Sequence, residues 1–176
     1  MNDSSIIKKK ICLLGMFGVG KTSLIGRFVY NTFEDTYLST IGVKVSQKIM
    51  PPLKLVNNKF IQHNFLIWDI EGFRKEIDIT KKYYTGAAGA LVVVDLTRSE
   101  TINNFEELLN LFKEINPNAK IVLAGNKNDL INDKVKTLSM LDLVAKKEKY
   151  DYFLTSAKSG LNVENAFNKL SELLLP

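Results

Sequence analysis

One eight-residue stretch, Gly15-Met16-Phe17-Gly18-Val19-Gly20-Lys21-Thr22, constrains this chain more than any other. It fits the spacing G-x-x-x-x-G-K-[ST], a loop that wraps the phosphates of a nucleotide. The apolar run Ile11-Cys12-Leu13-Leu14 before it reads as a buried strand. Ser23 to Val29 after it reads as a helix. Each part has a physical reason. The glycines let the backbone turn so that successive N–H groups point at one anion. The following helix adds free N–H groups and the positive end of its dipole. The expected phosphate site therefore runs through Phe17, Gly18, Val19, Gly20, Lys21, Thr22 and Ser23. Lys21 is expected to reach the β- and γ-phosphates, and the Thr22 hydroxyl to hold Mg²⁺. The plain alternative is a glycine turn between a strand and a helix, but the filled pattern in this context favours the phosphate loop.

The base is read elsewhere. Asn126-Lys127-Asn128-Asp129 follows the apolar run 121–125, and so stands at the C-terminal end of a strand. In an open parallel sheet, ligands bind at that edge. A carboxylate there can accept both the ring N–H and the exocyclic amino group of guanine. Adenine offers no such pair of donors, so Asp129 is expected to select guanine. Thr155-Ser156-Ala157-Lys158-Ser159 follows another strand and can complete the pocket through Ser156, Ala157 and Lys158. Taken alone, Asn-Lys-Asn-Asp is also ordinary turn chemistry. Together with the phosphate loop, and each at a strand end, the motifs point to a GTP/GDP site.

Strands and helices alternate along the 176 residues, which predicts one domain with a doubly wound α/β sheet of about six strands, one of them antiparallel, and about five helices. The expected strands are 9–15, 42–49, 59–68, 89–95, 119–125 and 151–155. The expected helices are 21–31, 74–84, 100–115, 138–148 and 162–174. Ser99 is placed as a serine cap for the third of these, whose apolar positions Phe105, Leu108, Leu109 and Phe112 recur at helical spacing. Strands 42–49 and 59–68 should form an antiparallel hairpin, with Pro51-Pro52 marking a bulge or a break because proline cannot donate to a ladder. Its long connection reads as a longer surface hairpin or as an added partner surface.

No run approaches 18 apolar residues, and Lys8-Lys9-Lys10 lacks a following signal-peptide core, so a cytoplasmic protein is expected. Cys12, the only cysteine, excludes an internal disulfide and reads as a small buried apolar residue. The formal net charge is +5, with basic residues spread along the chain among acidic ones. That argues against nucleic acid as a partner. Lys146-Lys147-Glu148-Lys149 reads as a solvated helix face. His63 reads as solvent-facing or satisfied in a strand, not catalytic.

The P-loop together with the Asn-Lys-Asn-Asp and Ser-Ala-Lys motifs resembles the Ras superfamily of small GTPases, and its Rab branch most closely. The resemblance spans about 9–174 of the single domain 1–176. Tyr37-Leu38-Ser39-Thr40-Ile41-Gly42-Val43 looks like the first switch of that branch. Ile67-Trp68-Asp69-Ile70-Glu71-Gly72 looks like the entry to the second, and Tyr83 to Gly89 like a signature that follows it. The interval of 18 residues from Thr22 to Thr40 is the family's. The resemblance implies that Thr40 binds Mg²⁺ and the γ-phosphate, that Asp69 holds Mg²⁺ through water, and that the Gly72 N–H senses the γ-phosphate. Lys21, Thr40 and Gly72 would thus carry catalysis. Phe33 would pack on the guanine, Tyr37 would close over the phosphates, Lys127 would lie along the base, and the Ala157 N–H would meet the guanine carbonyl oxygen. Effectors and regulators would bind through the switches.

Three departures from the family crowd the γ-phosphate. Phe73 stands where a glutamine usually orients water, Phe17 where a small residue is usual, and Glu71 where alanine is usual. They imply slow hydrolysis, or a GTP-binding pseudo-GTPase that acts as an interaction module. Trp68 and Tyr83 keep two positions of an apolar triad, whereas Val45 and Glu76 depart from the pattern. Asp129 argues against a P-loop kinase or ATPase. The ending Leu173-Leu174-Leu175-Pro176, without the family's cysteine tail, suggests no stable membrane anchor and a divergent Rab-like form of the kind known in prokaryotes.

Overall fold

A computed structural model describes residues 4–34, 40, 42–56, 58–70, 77–131 and 135–176. The expected alternation forms one seven-stranded sheet in the order β2-β4-β1-β5-β6-β7, with the short β3 paired to β4. Its strands are β1 (Ser4–Leu14), β2 (Val43–Ile49), β3 (Leu53–Lys54), β4 (Phe60–Ile70), β5 (Gly89–Asp95), β6 (Lys120–Asn126) and β7 (Asp151–Leu154). β2 and β3 run antiparallel to β4, and the other pairings are parallel. The helices are α1 (Lys21–Ile25), continued by a π-helical turn over Gly26–Tyr30, α2 (Ile77–Tyr84), α3 (Glu100–Asn103), α4 (Phe105–Ile115), α5 (Val135–Glu148) and α6 (Val163–Leu173).

Both sheet faces are covered, which is why β5 is buried at every residue and reads as an unbroken apolar run. On one face α1 and α6 pack through Leu24, Ile25, Phe28, Ala166, Phe167 and Leu170. The rings of Phe28 and Phe167 stack there at 3.8 Å. On the other face Tyr84, Ile102, Phe105, Leu108, Phe112, Leu141 and Ala145 cover Cys12, Val92 and Val94. Cys12 is the small buried apolar residue expected, and burial pushes its thiol up to about 12.

Several expectations need correction. The single helix expected at 100–115 breaks at Asn104. Ser99 precedes it, but its side chain makes no capping bond and only its carbonyl accepts, from Ile102 and Asn103. His63 is not solvent-facing. It is 1% exposed, donates or accepts at Nδ1 with Ser171 Oγ at 2.9 Å, and has no partner at Nε2. The proline step is a bulge. β2 pairs Ile49 with Asn64, while β3 pairs Leu53 with Ile61, so three residues, Met50-Pro51-Pro52, span two on β4. The Met50 N–H still donates to the His63 carbonyl at 2.8 Å.

The lysines are also less evenly spread than the linear sequence implies. Segments 4–14 and 43–68 lie side by side as β1, β2, β3 and β4, and they hold seven lysines and no carboxylate. Distance along the chain hides this, because the two segments are 28 residues apart in sequence but adjacent in the sheet.

Candidate functional site

A cleft of about 830 Å³ lies at the C-terminal ends of β4 and β6 and the segments that follow β1 and β7, a size suited to a nucleotide. At its phosphate end the loop carries Gly18 and Gly20 at φ +76° and +97°. A Cβ on Gly20 would stand 2.4 Å from the Asn126 side-chain nitrogen, so no other residue fits there. Lys21 is 7% exposed and donates from Nζ to the Gly15 and Met16 carbonyls at 2.9 and 3.0 Å, which holds its charge over the mouth of the loop. Phe17, Gly18, Gly20, Lys21, Thr22 and Ser23 line the cleft. Val19 turns its side chain into the core, so it can serve only through its backbone.

Thr22, Thr40 and Asp69 converge from three separate elements. Thr22 Oγ1 stands 2.7 Å from Thr40 Oγ1 and donates to Asp69 Oδ2 at 2.5 Å. Burial drives the Asp69 carboxyl above its usual range, while the hydroxyls of Thr22 and Thr40 and the charges of Lys21 and Lys44 pull it back. Its other oxygen, Oδ1, is buried without a hydrogen-bond partner. A buried acceptor left bare is costly, and a hard cation would relieve it. Two hydroxyls and one carboxylate suit Mg²⁺, which keeps several of its waters.

At the base end, Asn126 is 1% exposed and wires three loops together. It donates to the Val19 carbonyl at 2.9 Å, and its Oδ1 accepts from Thr155 Oγ1 at 3.3 Å and the Ala157 N–H at 3.2 Å. The Ala157 N–H expected to face a base is therefore engaged by Asn126 here. Asp129 is exposed at the cleft rim and accepts from Ser156 Oγ at 2.5 Å. Phe33, Lys127 and Lys158 line the same end. Tyr37, Glu71, Gly72, Phe73 and Glu76 lie outside the described residues.

Three side chains not singled out from the sequence hold the site together. Asp95, fully buried at the end of β5, accepts from Lys127 Nζ at 2.7 Å and Arg98 Nε at 3.0 Å, both at Oδ2. Its Oδ1 accepts the Thr97 N–H and hydroxyl. Burial works to raise this carboxyl, but the Lys127 and Thr97 bonds and the Lys127 charge outweigh it and leave it below its usual value. Arg98 continues to the Phe17 carbonyl at 2.9 Å, so one carboxylate links the phosphate loop to the guanine motif. Arg27, aimed by the π turn after α1, donates to the Ala157 and Lys158 carbonyls at 2.9 and 2.8 Å. The one available signal was an acid at a strand end, Asp95. The arginines act across 81 to 131 residues, which no local pattern reveals.

The profile of the Ras family matches residues 10–175. The chain is 36% identical to "Ras-related protein Rab-13" of Mesocricetus auratus over 94% of its own length and 79% of that protein's. It is 38% identical to "Ras-related protein Rab-11B" of Dictyostelium discoideum over 92% of its length and 71% of that protein's. Against "Ras-related protein RABA1c" of Arabidopsis thaliana it is 39% identical, over 90% and 71%. With a phosphate loop, a Thr-Thr-Asp convergence and a guanine-type motif assembled around one cleft, this chain belongs to the Ras family of small GTPases, in its Rab branch.

Proposed function

We propose that this protein is a Mg²⁺-dependent GTP/GDP switch that hydrolyses GTP slowly. The meeting of Thr22, Thr40 and Asp69 around a bare buried carboxylate oxygen carries this reading. Mg²⁺, when bound, would neutralise charge on the β- and γ-phosphates. The chain's own residues do the rest. Thr22 and Asp69 orient the metal side. Lys21 offers its ammonium to the phosphate oxygens. Thr40 brings the first switch to the γ-phosphate, and the Gly72 N–H does so for the second. Loss of that phosphate frees Thr40 and Gly72, which changes the surface offered to effectors and regulators. Asp129 and Ser156 read the guanine edge, with Phe33 against its face.

Phe17 favours a second reading, a GTP-binding module with negligible turnover. Its ring is 56% exposed at the cleft mouth, where it hinders an arginine supplied by a partner. Phe73 reinforces this, since a phenyl ring cannot orient water. The test is extraction and chromatography of nucleotide from the purified protein, followed by single-turnover hydrolysis with and without Mg²⁺. Bound guanine nucleotide with Mg²⁺-dependent turnover supports the switch. Bound GTP without turnover supports the module. Bound adenine nucleotide overturns both.

A further inference from the structure

We infer that the end of the molecule opposite the nucleotide cleft docks on an anionic lipid bilayer, an interaction separate from the nucleotide switch. β1 pairs with β4 from Ser4 onward but with β5 only from Ile11. β6 begins level with Gly89 and β7 further in. The ribbon of β1, β3 and β4 therefore projects past β5, β6 and β7 by roughly 20 Å, and past the end of β2 by about four residues. It ends in the turn closed by Leu55 N–H to Lys59 C=O at 2.8 Å. Val56 at its apex is fully exposed, at 107%. Ile6 and Ile7, on opposite faces of β1, are 54% and 40% exposed. Behind these aliphatic side chains stand Lys8, Lys9 and Lys54.

No carboxylate occurs on these strands between Ser4 and Leu14 or between Val43 and Trp68. Of the acids close in sequence or contact, Asp3 immediately precedes Ser4 and lies outside the described residues, and Glu164 is paired to Lys48 at 2.7 Å. An apolar tip with ammonium groups one or two residues behind it matches a bilayer, in which aliphatic groups enter the acyl boundary and lysines meet anionic headgroups. Nucleic acid fits less well, because the ribbon offers no arginine fork and no exposed aromatic ring for stacking. A second copy would set lysine against lysine. Because the tip is the far end of β1 from the phosphate loop, docking leaves the cleft facing away from the membrane.

The experiment is sedimentation of the purified protein with vesicles of phosphatidylcholine alone or with about one-third phosphatidylserine, in GDP and in a non-hydrolysable GTP analogue. Binding to the anionic vesicles is expected to be at least about tenfold tighter, equal in both nucleotides, and lost near 1 M salt, where the screening length is about 3 Å. The double change Lys8→Glu with Lys54→Glu, and separately Val56→Asp, should each weaken it about tenfold or more while thermal stability stays unchanged. In Val56→Trp the indole should be quenched by brominated lipid. Equal binding to both vesicles, unaltered binding by the variants, an unquenched indole, or displacement by a short DNA duplex at lower concentration than by anionic lipid would overturn the proposal.

Discussion

In the proposed switch, nucleotide choice turns on Asp129. Replacing it with asparagine exchanges a pure acceptor for a mixed amide, and should weaken GTP and GDP by at least about tenfold, since a charged hydrogen bond is worth about 1.5–3 kcal/mol. A competition titration checks this; equal affinity of the wild type for ATP would refute the guanine reading. Asp95 is expected to matter nearly as much without touching nucleotide. Asp95→Asn keeps the shape, but its NH2 must face either the Thr97 donors or those of Lys127 and Arg98, so guanine nucleotide should leave faster and the midpoint of thermal unfolding at neutral pH should fall. Stopped-flow release of a fluorescent GDP analogue measures it. The motif residues were legible in the sequence because their chemistry is local: a glycine turn, a lysine, a carboxylate at a strand end. Asp95, Arg98 and Arg27 were not, because each works through partners that only folding brings close.

Among the elements, β5 and β6 were read almost to the residue, since burial on both faces leaves an apolar run bounded by polar turns. β1 was read short at its start. Lys8, Lys9 and Lys10 look like a polar lead-in, yet they form strand because β4 supplies a full ladder beside them. Lys10 spends its charge locally, over the Trp68 ring at 3.8 Å and on the Thr85 carbonyl at 2.9 Å. The π turn after α1 was not legible, because its width depends on closure between Gly26 and Thr32. The stack of Phe28 on Phe167 joins the π turn after α1 to α6. Phe167→Ala should cost about 3–5 kcal/mol, the usual result of emptying a buried aromatic site, and denaturant titration measures it. A cost below about 1 kcal/mol would show that neighbouring side chains refill the space.

At the scale of the molecule, the two cores are sealed enough to make one buried imidazole felt globally. Burial and the charge of Lys9 hold His63 below its ordinary value, and the bond to Ser171 only partly opposes them. The folded state thus resists protonation that the unfolded chain accepts. Stability should be full above about pH 6.5 and fall as pH drops from there toward the lowered value. His63→Gln should flatten that slope in melts recorded between pH 7.5 and 5.5, whereas an unchanged slope would assign the loss to other groups. The Asp95 carboxyl acts at the far end of the scale, and its contribution disappears only as pH falls below about 4. That carboxylate also has a bearing on time. A switch remembers its last input for as long as its nucleotide stays bound. In the proposed switch, Asp95 ties the loop expected under the phosphates to the lysine expected beside the base, so release at one end should loosen the other. A regulator that pries at either one loosens both, so a single lever is enough to erase the memory.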